Sequence, residues 1–218
     1  MANANDLSLH EDGTVSAGGA KIEPVRWVRL PTAPASSGRA GTAREAMSAL
    51  ARQASLRHLV VGVIGPRAAS PAQATAAETV GRQLAGYGLT VICGGKTGVM
   101  EAVCKGCASA GGLAIGLLPG TDPDEANQFV SIALPTGLSE GRNMVIARAS
   151  RVLIAIGGSY GTLSEVAYGL HFSKPVIGIE GAPDVEGVRH ARDANAAVDL
   201  ALAALIGTAQ PAEDAANV

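Results

Sequence analysis

Two glycine-rich turns govern what this chain can fold into. Gly94-Gly95-Lys96-Thr97-Gly98 and Gly157-Gly158-Ser159-Tyr160-Gly161-Thr162 each follow an apolar run, and each opens a segment of helical composition. A helix start presents unpaired N–H groups and the positive end of a dipole, a ready site for a phosphate. Two such starts in one open α/β sheet imply an anionic group lying across the carboxyl ends of the strands.

The rest of the chain from His58 onward keeps this rhythm. Residues 59–65 form a continuous apolar run, the pattern of a parallel strand covered on both faces. Residues 71–85 have helical composition, with Ser70 as cap and Pro71 at the first position. Further strands are expected at 89–93, 113–118, 129–134, 152–156 and 175–179, and helices at 99–110, 140–150, 163–172 and 196–205. Strand and helix alternate, so successive strands should lie parallel through right-handed crossovers. The fold class is α/β: a doubly wound, mostly parallel, Rossmann-like sheet over residues 59–207 with helices on both faces, plus an N-terminal extension.

That extension, residues 1–58, carries a hairpin signal: runs at 7–10 and 14–16 flank Glu11-Asp12-Gly13. Residues 22–30 read as one short strand containing Trp27, the only tryptophan. Residues 31–41, rich in Pro, Ala, Ser and Gly, read as a linker, and Thr42 caps a helix over 43–53. Residues 208–218 read as a tail.

Composition narrows the functions. The net charge is −2, with Lys and Arg scattered, so no basic stripe offers a footprint for nucleic acid. Aromatics are 3% of the chain, too few for base-stacking platforms. No apolar stretch reaches the roughly 18–20 residues of a membrane span, and the first residues lack the pattern of a secretory signal, so a cytoplasmic protein is expected. Cys104 and Cys107 form a CxxC, but in mid-helix, without the helix-start position of a redox pair or the further ligands of a zinc site. The four histidines are isolated, and no metal site is expected.

Two familiar phosphate motifs do not match. A Walker loop needs a glycine where Thr90 stands, and the first strand's end, Gly62-Val63-Ile64-Gly65-Pro66-Arg67, lacks the dinucleotide spacing. The paired set does match a pattern. "GGKTGVMEAVCKG" (Gly94 to Gly106) and "GRNMVIARASRVLIAIGGSYGTLSE" (Gly141 to Glu165) resemble the LOG-like superfamily of Rossmann proteins over about residues 59–205. Its known enzymes are phosphoribohydrolases that cleave nucleoside 5′-monophosphates, cytokinin precursors in particular, to free base and ribose 5-phosphate. A sister branch, closer still in "GVMEAV", "LPTG", "RN" and "GTLSE", includes molybdenum-cofactor carriers.

The resemblance carries residue roles with it. The motif Pro-Gly-Gly-x-Gly-Thr-x-x-Glu falls on Gly157 to Glu165: Gly158, Gly161, Thr162 and Glu165 match, Gly157 stands for the proline and Ser159 for a glycine. The family's catalytic arginine falls on Arg142, its neighbouring lysine is Asn143 here, and its preceding His-Glu pair is Glu140-Gly141. Arg142 and Glu165 are therefore the expected catalytic pair, the carboxylate serving an oxocarbenium-like state and the forked cation orienting it. The expected binding set is Gly65, Arg67, Gly94, Gly95, Lys96, Gly98, Gly158, Ser159, Gly161 and Thr162, with the amides of Gly161 to Leu163 on the phosphate and Lys96 a second positive contact. Two functions stand side by side: nucleoside 5′-monophosphate phosphoribohydrolase, needing no cofactor, or non-catalytic carrier of the molybdenum cofactor, a phosphorylated pterin. Both imply a small phosphorylated ligand, and the resemblance implies a homo-oligomer.

Overall fold

The Asp12-Gly13 turn makes a hairpin: Leu7–Leu9 (β1) pairs antiparallel with Val15–Ala17 (β2), and Thr14 N–H donates to Asp12 Oδ1 at 2.8 Å. The computed structural model describes residues 7–31 and 38–211. It contains two compact units, one built from the chain up to Leu56 and from Leu202 onward, the other from Arg57–Ala201.

The first unit departs from the sequence reading at residues 22–30 and in the expected linker. Residues 22–30 are not one strand but two, Ala20–Glu23 (β3) and Val28–Pro31 (β4), paired antiparallel. Both Glu23 carboxylate oxygens accept backbone N–H groups, from Val25 and Arg26, and this closes the turn after Pro24. Trp27 sits in that turn at φ +54, buried, its indole N–H donating to Leu205 O at 3.1 Å. The expected linker contributes Arg39–Ala40 (β5) to the sheet edge beside β1; residues 32–37 lie outside the described residues. The helix Ala43–Gln53 (α1) begins where Thr42 predicts, with a capping box between Thr42 and Glu45.

The second unit is a seven-stranded sheet. Its elements are Val60–Ile64 (β6), Pro71–Gly86 (α2), Thr90–Cys93 (β7), Val99–Ser109 (α3), Leu113–Leu118 (β8), Ile132–Pro135 (β9), Arg142–Ala149 (α4), Val152–Ile156 (β10), Tyr160–His171 (α5), Val176–Ile179 (β11) and Val188–His190 (β12). The strand order is β12-β11-β10-β6-β7-β8-β9, and every neighbouring pair is parallel. This is the doubly wound, Rossmann-like sheet. The chain steps outward from β6 through α2 and α3 in one direction, and from β10 through α5 in the other. Right-handed crossovers therefore put α2 and α3 on one face and α4 and α5 on the other, in keeping with α2 packing on α3 and α4 on α5. Between β6 and β10 the order reverses, and that switch point is where an open α/β sheet takes its ligand.

Strands β7 and β10 are buried at every residue, as expected of strands with both faces covered. On the α4/α5 face the core gathers Ile64, Ile92, Ile146, Leu153 and Val166. Strand β12 escaped the sequence reading because its Val188-Arg189-His190 has a single apolar residue, half-buried at the sheet edge. Residues 129–134 yield a strand only from Ile132, since Asn127 folds the preceding residues into a turn by accepting from Phe129 and Val130 N–H. The expected helix at 140–150 begins as a 3-10 turn, Ser139–Gly141, before α4.

The last helix, Ala194–Gly207 (α6), is longer than the expected 196–205. Beyond it the chain is not simply a tail: Gln210–Pro211 (β13) pairs in parallel with β4.

Candidate functional site

At the carboxyl ends of β6, β7 and β10 lies a cavity of about 480 Å³, within the range of about 300–1,000 Å³ that small-molecule sites occupy. Its wall includes eight of the residues singled out in the sequence: Gly65, Arg67, Gly94, Arg142, Ser159, Gly161, Thr162 and Glu165. A second cavity, of about 590 Å³, lies in the first unit among His10, Arg39, Arg44, Glu45 and Arg52. Arg39 and Glu45 in its wall close on each other at 2.8 Å.

The centre of the strand-end cavity is an ion pair. Arg142, the first residue of α4, donates from Nη1 to Glu165 Oε1 at 3.2 Å, and both side chains are buried. Glu165 faces inward because it lies one turn after Thr162 on α5, and both residues are buried on that face. Burial pushes the Glu165 carboxyl up to about 7, the opposing pull of Arg142 being the smaller effect. Burial likewise lowers Arg142. Its Nε is buried without a hydrogen-bond partner among the described residues, an orphaned donor at a cavity wall.

The second glycine turn differs from the family pattern for a local reason. Gly157 has φ +68 and donates its N–H to Ile179 O at 3.0 Å. Proline cannot adopt that φ and has no N–H to give. Ser159 caps α5: its Oγ accepts from Thr162 N–H at 3.2 Å and lies 3.0 Å from Thr162 Oγ1. Leu163 N–H goes to Ser159 O at 2.8 Å. The expected phosphate donors at Thr162 and Leu163 are thus already engaged. Helix geometry leaves Tyr160 and Gly161 as the first-turn N–H groups without intrahelical acceptors.

Four of the expected binding residues do not reach the cavity wall. Lys96 turns to Glu125, its Nζ 2.7 Å from Oε2, and is not among the residues lining the cavity. Gly95, at φ +69, packs on Gly116, and its carbonyl accepts from Asn127. Gly98, at φ +71, lets Val99 N–H reach Pro66 O at 3.1 Å; a β-carbon there would strike the backbone of Arg67 and Pro66. It seats α3 against the β6–α2 loop and so positions Arg67. Gly158 lies against Gly181 O and Pro183.

The cavity also has wall residues that sequence reasoning did not assign, among them Met100, Pro119, Ser139, Glu140 and Asn143. Glu140 and Asn143 were legible only as departures from the family pattern beside Arg142. None of the three cysteines is among the residues lining this cavity. Cys93 and Cys104 lie 3.5 Å apart, buried; the hydrogen bond with Cys93, and then burial, pushes the Cys104 thiol up, and burial pushes Cys107 up to about 11. No group of three potential metal ligands occurs among the described residues. No helix of the described residues is long and apolar enough to cross a membrane.

With this geometry in hand, the likenesses are specific. The molybdenum cofactor binding protein from the phototrophic bacterium Rippkaea orientalis has 34% identity and a TM-score of 0.63, covering 67% of this chain and 97% of that one. The molybdenum cofactor carrier protein from Chlamydomonas reinhardtii has 34% identity and a TM-score of 0.63, covering 69% and 99%. A protein of Archaeoglobus fulgidus described as uncharacterized is 37% identical over 134 residues, 62% of this chain and 88% of its own. The profile of the SLOG cluster4 family matches residues 58–211, and the chain belongs to that family.

Proposed function

We propose that this protein holds a phosphorylated pterin of the molybdenum-cofactor type and carries it without turning it over. The observation that carries this reading is the likeness, at 34% identity over nearly their whole lengths, to one protein described as binding and one described as carrying that cofactor. The site supports it. Arg142 pairs with Glu165, and Ser159 accepts from Thr162 N–H, so these groups already have partners within the wall. The Gly161 N–H, the Arg67 side chain and the unpartnered Arg142 Nε are donors at the wall for an anionic head group. The protein serves this role in the cytoplasm as a homo-oligomer; Met144, Leu163 and Tyr168 expose apolar surface on α4 and α5 that a second copy can cover.

The test is retention. After incubation with the molybdenum cofactor under anaerobic conditions and gel filtration, molybdenum and pterin should co-elute with the protein in near-equal amounts. Passage of both into the small-molecule fraction would count against carriage.

The buried pair favours a second reading, phosphoribohydrolase action with Arg142 and Glu165 catalytic. A carboxyl at about 7 can exchange a proton near neutrality beside a bound sugar. A panel of nucleoside 5′-monophosphates assayed for ribose 5-phosphate, with Glu165→Gln as control, separates the two. Turnover abolished by the substitution supports hydrolysis, and binding without product supports carriage.

A further inference from the structure

Four charged side chains line the cavity, and they divide unequally. Arg142 and Glu165 pair with each other. Arg67 and Glu140 have no ion pair or side-chain hydrogen bond among the described residues. Arg67 suits the anionic end of a ligand. The Glu140 carboxylate is exposed at this wall and its charge is felt by Arg142, and its oxygens are open to donors of a ligand away from the anionic end.

Glu140, exposed at the cavity wall, follows a strained backbone turn. Ser139, immediately before it, has φ +48, uncommon for a residue other than glycine. That conformation is fixed by Ser139 N–H donating to Pro119 O at 3.0 Å and Gly141 N–H to Leu138 O at 2.9 Å. Strain of this kind persists where the surrounding structure over-determines it, and it clusters at ligand clamps. Three residues on, Asn143 is also on the wall. Its amide orientation is determined by its neighbour: Ser164 gives its single hydroxyl proton to Gly161 O at 2.7 Å, so it must accept from Asn143 Nδ2 at 2.9 Å. That leaves Asn143 Oδ1 as the acceptor without a partner. The 139–143 segment therefore offers two open acceptors, the Glu140 carboxylate and Asn143 Oδ1, beside the Arg142 donor, while the α5 start and Arg67 supply further donors.

We propose that Glu140, supported by Asn143, selects ligands whose ring presents adjacent N–H and exocyclic NH2 donors, the 2-amino-4-oxopyrimidine edge shared by pterins and guanine. A carboxylate accepts such a pair through both oxygens, as it accepts an arginine fork. Adenine-type rings lack that paired edge. This inference rests on the phosphorylated-pterin reading above and names the part of the ligand that the chain reads.

The test uses GMP and IMP, which differ only in the 2-amino group, with inorganic phosphate as a probe of the anion end. By titration calorimetry the wild-type protein should bind GMP about 5- to 150-fold more tightly than IMP, the range for one bidentate pair. In Glu140→Gln the two affinities should converge, with phosphate affinity changed less than about twofold. Equal wild-type affinities, no measurable binding of either nucleotide, or a GMP preference that survives the substitution would each overturn the assignment. Retention of the molybdenum cofactor, measured on the same two proteins, keeps the readings apart. A wild-type protein that releases the cofactor but loses its GMP preference in Glu140→Gln sinks carriage and leaves the role of Glu140 standing. Retention with an unchanged preference does the reverse.

Discussion

Gly94 and Arg142 share one volume. A β-carbon on Gly94 would collide with both terminal nitrogens of the Arg142 guanidinium and with Met100 Sδ. The glycine at the end of β7 thus does not cradle a phosphate by its own flexibility; it makes room for the cation that pairs with Glu165.

Gly94→Ala should displace the guanidinium and break its 3.2 Å contact with Glu165. Overpacking of this kind costs about 1–3 kcal/mol. Urea denaturation should show that loss together with weakened retention of the molybdenum cofactor. A variant with wild-type stability and retention would mean that Arg142 has another place to go.

Glu165 makes stability depend on pH. Its folded carboxyl is at about 7, against 4.5 for an ordinary glutamate. Between those values the folded state binds the extra proton, so this contribution is complete below pH 4.5 and fades as pH rises through 7. The full effect is on the order of 3 kcal/mol. The stability difference between the wild type and Glu165→Gln, measured at pH 5 and at pH 8, should therefore shift against the wild type at the higher pH. A difference that does not vary with pH would place the Glu165 carboxyl in an ordinary environment.

Arg67 and Lys96 should behave differently, although the sequence puts both beside glycine turns. Arg67 lines the cavity, while Lys96 is held by Glu125 at 2.7 Å. Arg67→Ala should weaken binding of a phosphorylated ligand about 10- to 100-fold, the loss of one charge-assisted hydrogen bond. Lys96→Ala should change it less than about twofold. Titration of both variants with GMP checks the contrast, and equal losses would restore Lys96 to the site.

Gly106 should resist a change that helix propensity favours. Alanine is about 1 kcal/mol better than glycine in a helix interior. Yet a β-carbon at Gly106 would strike the Glu78 carbonyl on α2, as one at Gly81 would strike Val103 O on α3. Gly106→Ala should lower the thermal midpoint. A raised midpoint would show that α2 and α3 can move apart without cost.

Local chemistry explains what was legible beforehand. Ser70 and Thr42 cap the helices that they precede, and 113–118 and 152–156 were placed to the residue, because caps and uninterrupted apolar runs act within a few residues. Trp27 and β12 were not legible: the tryptophan's turn depends on the Glu23 carboxylate folding back, and β12 gains its pairing from β11 rather than from its own composition.

By itself the sequence determined the alternation of strands and helices, the positions of the two glycine turns, and hence a doubly wound sheet with a crevice at its switch point. It did not determine which charges face that crevice. Lys96 leaves it for Glu125, 29 residues away; Arg142 enters it over Gly94 to meet Glu165, 23 residues away. Such partners are chosen by strand order and helix seating, which bring distant segments together, and no local pattern of residues encodes that meeting.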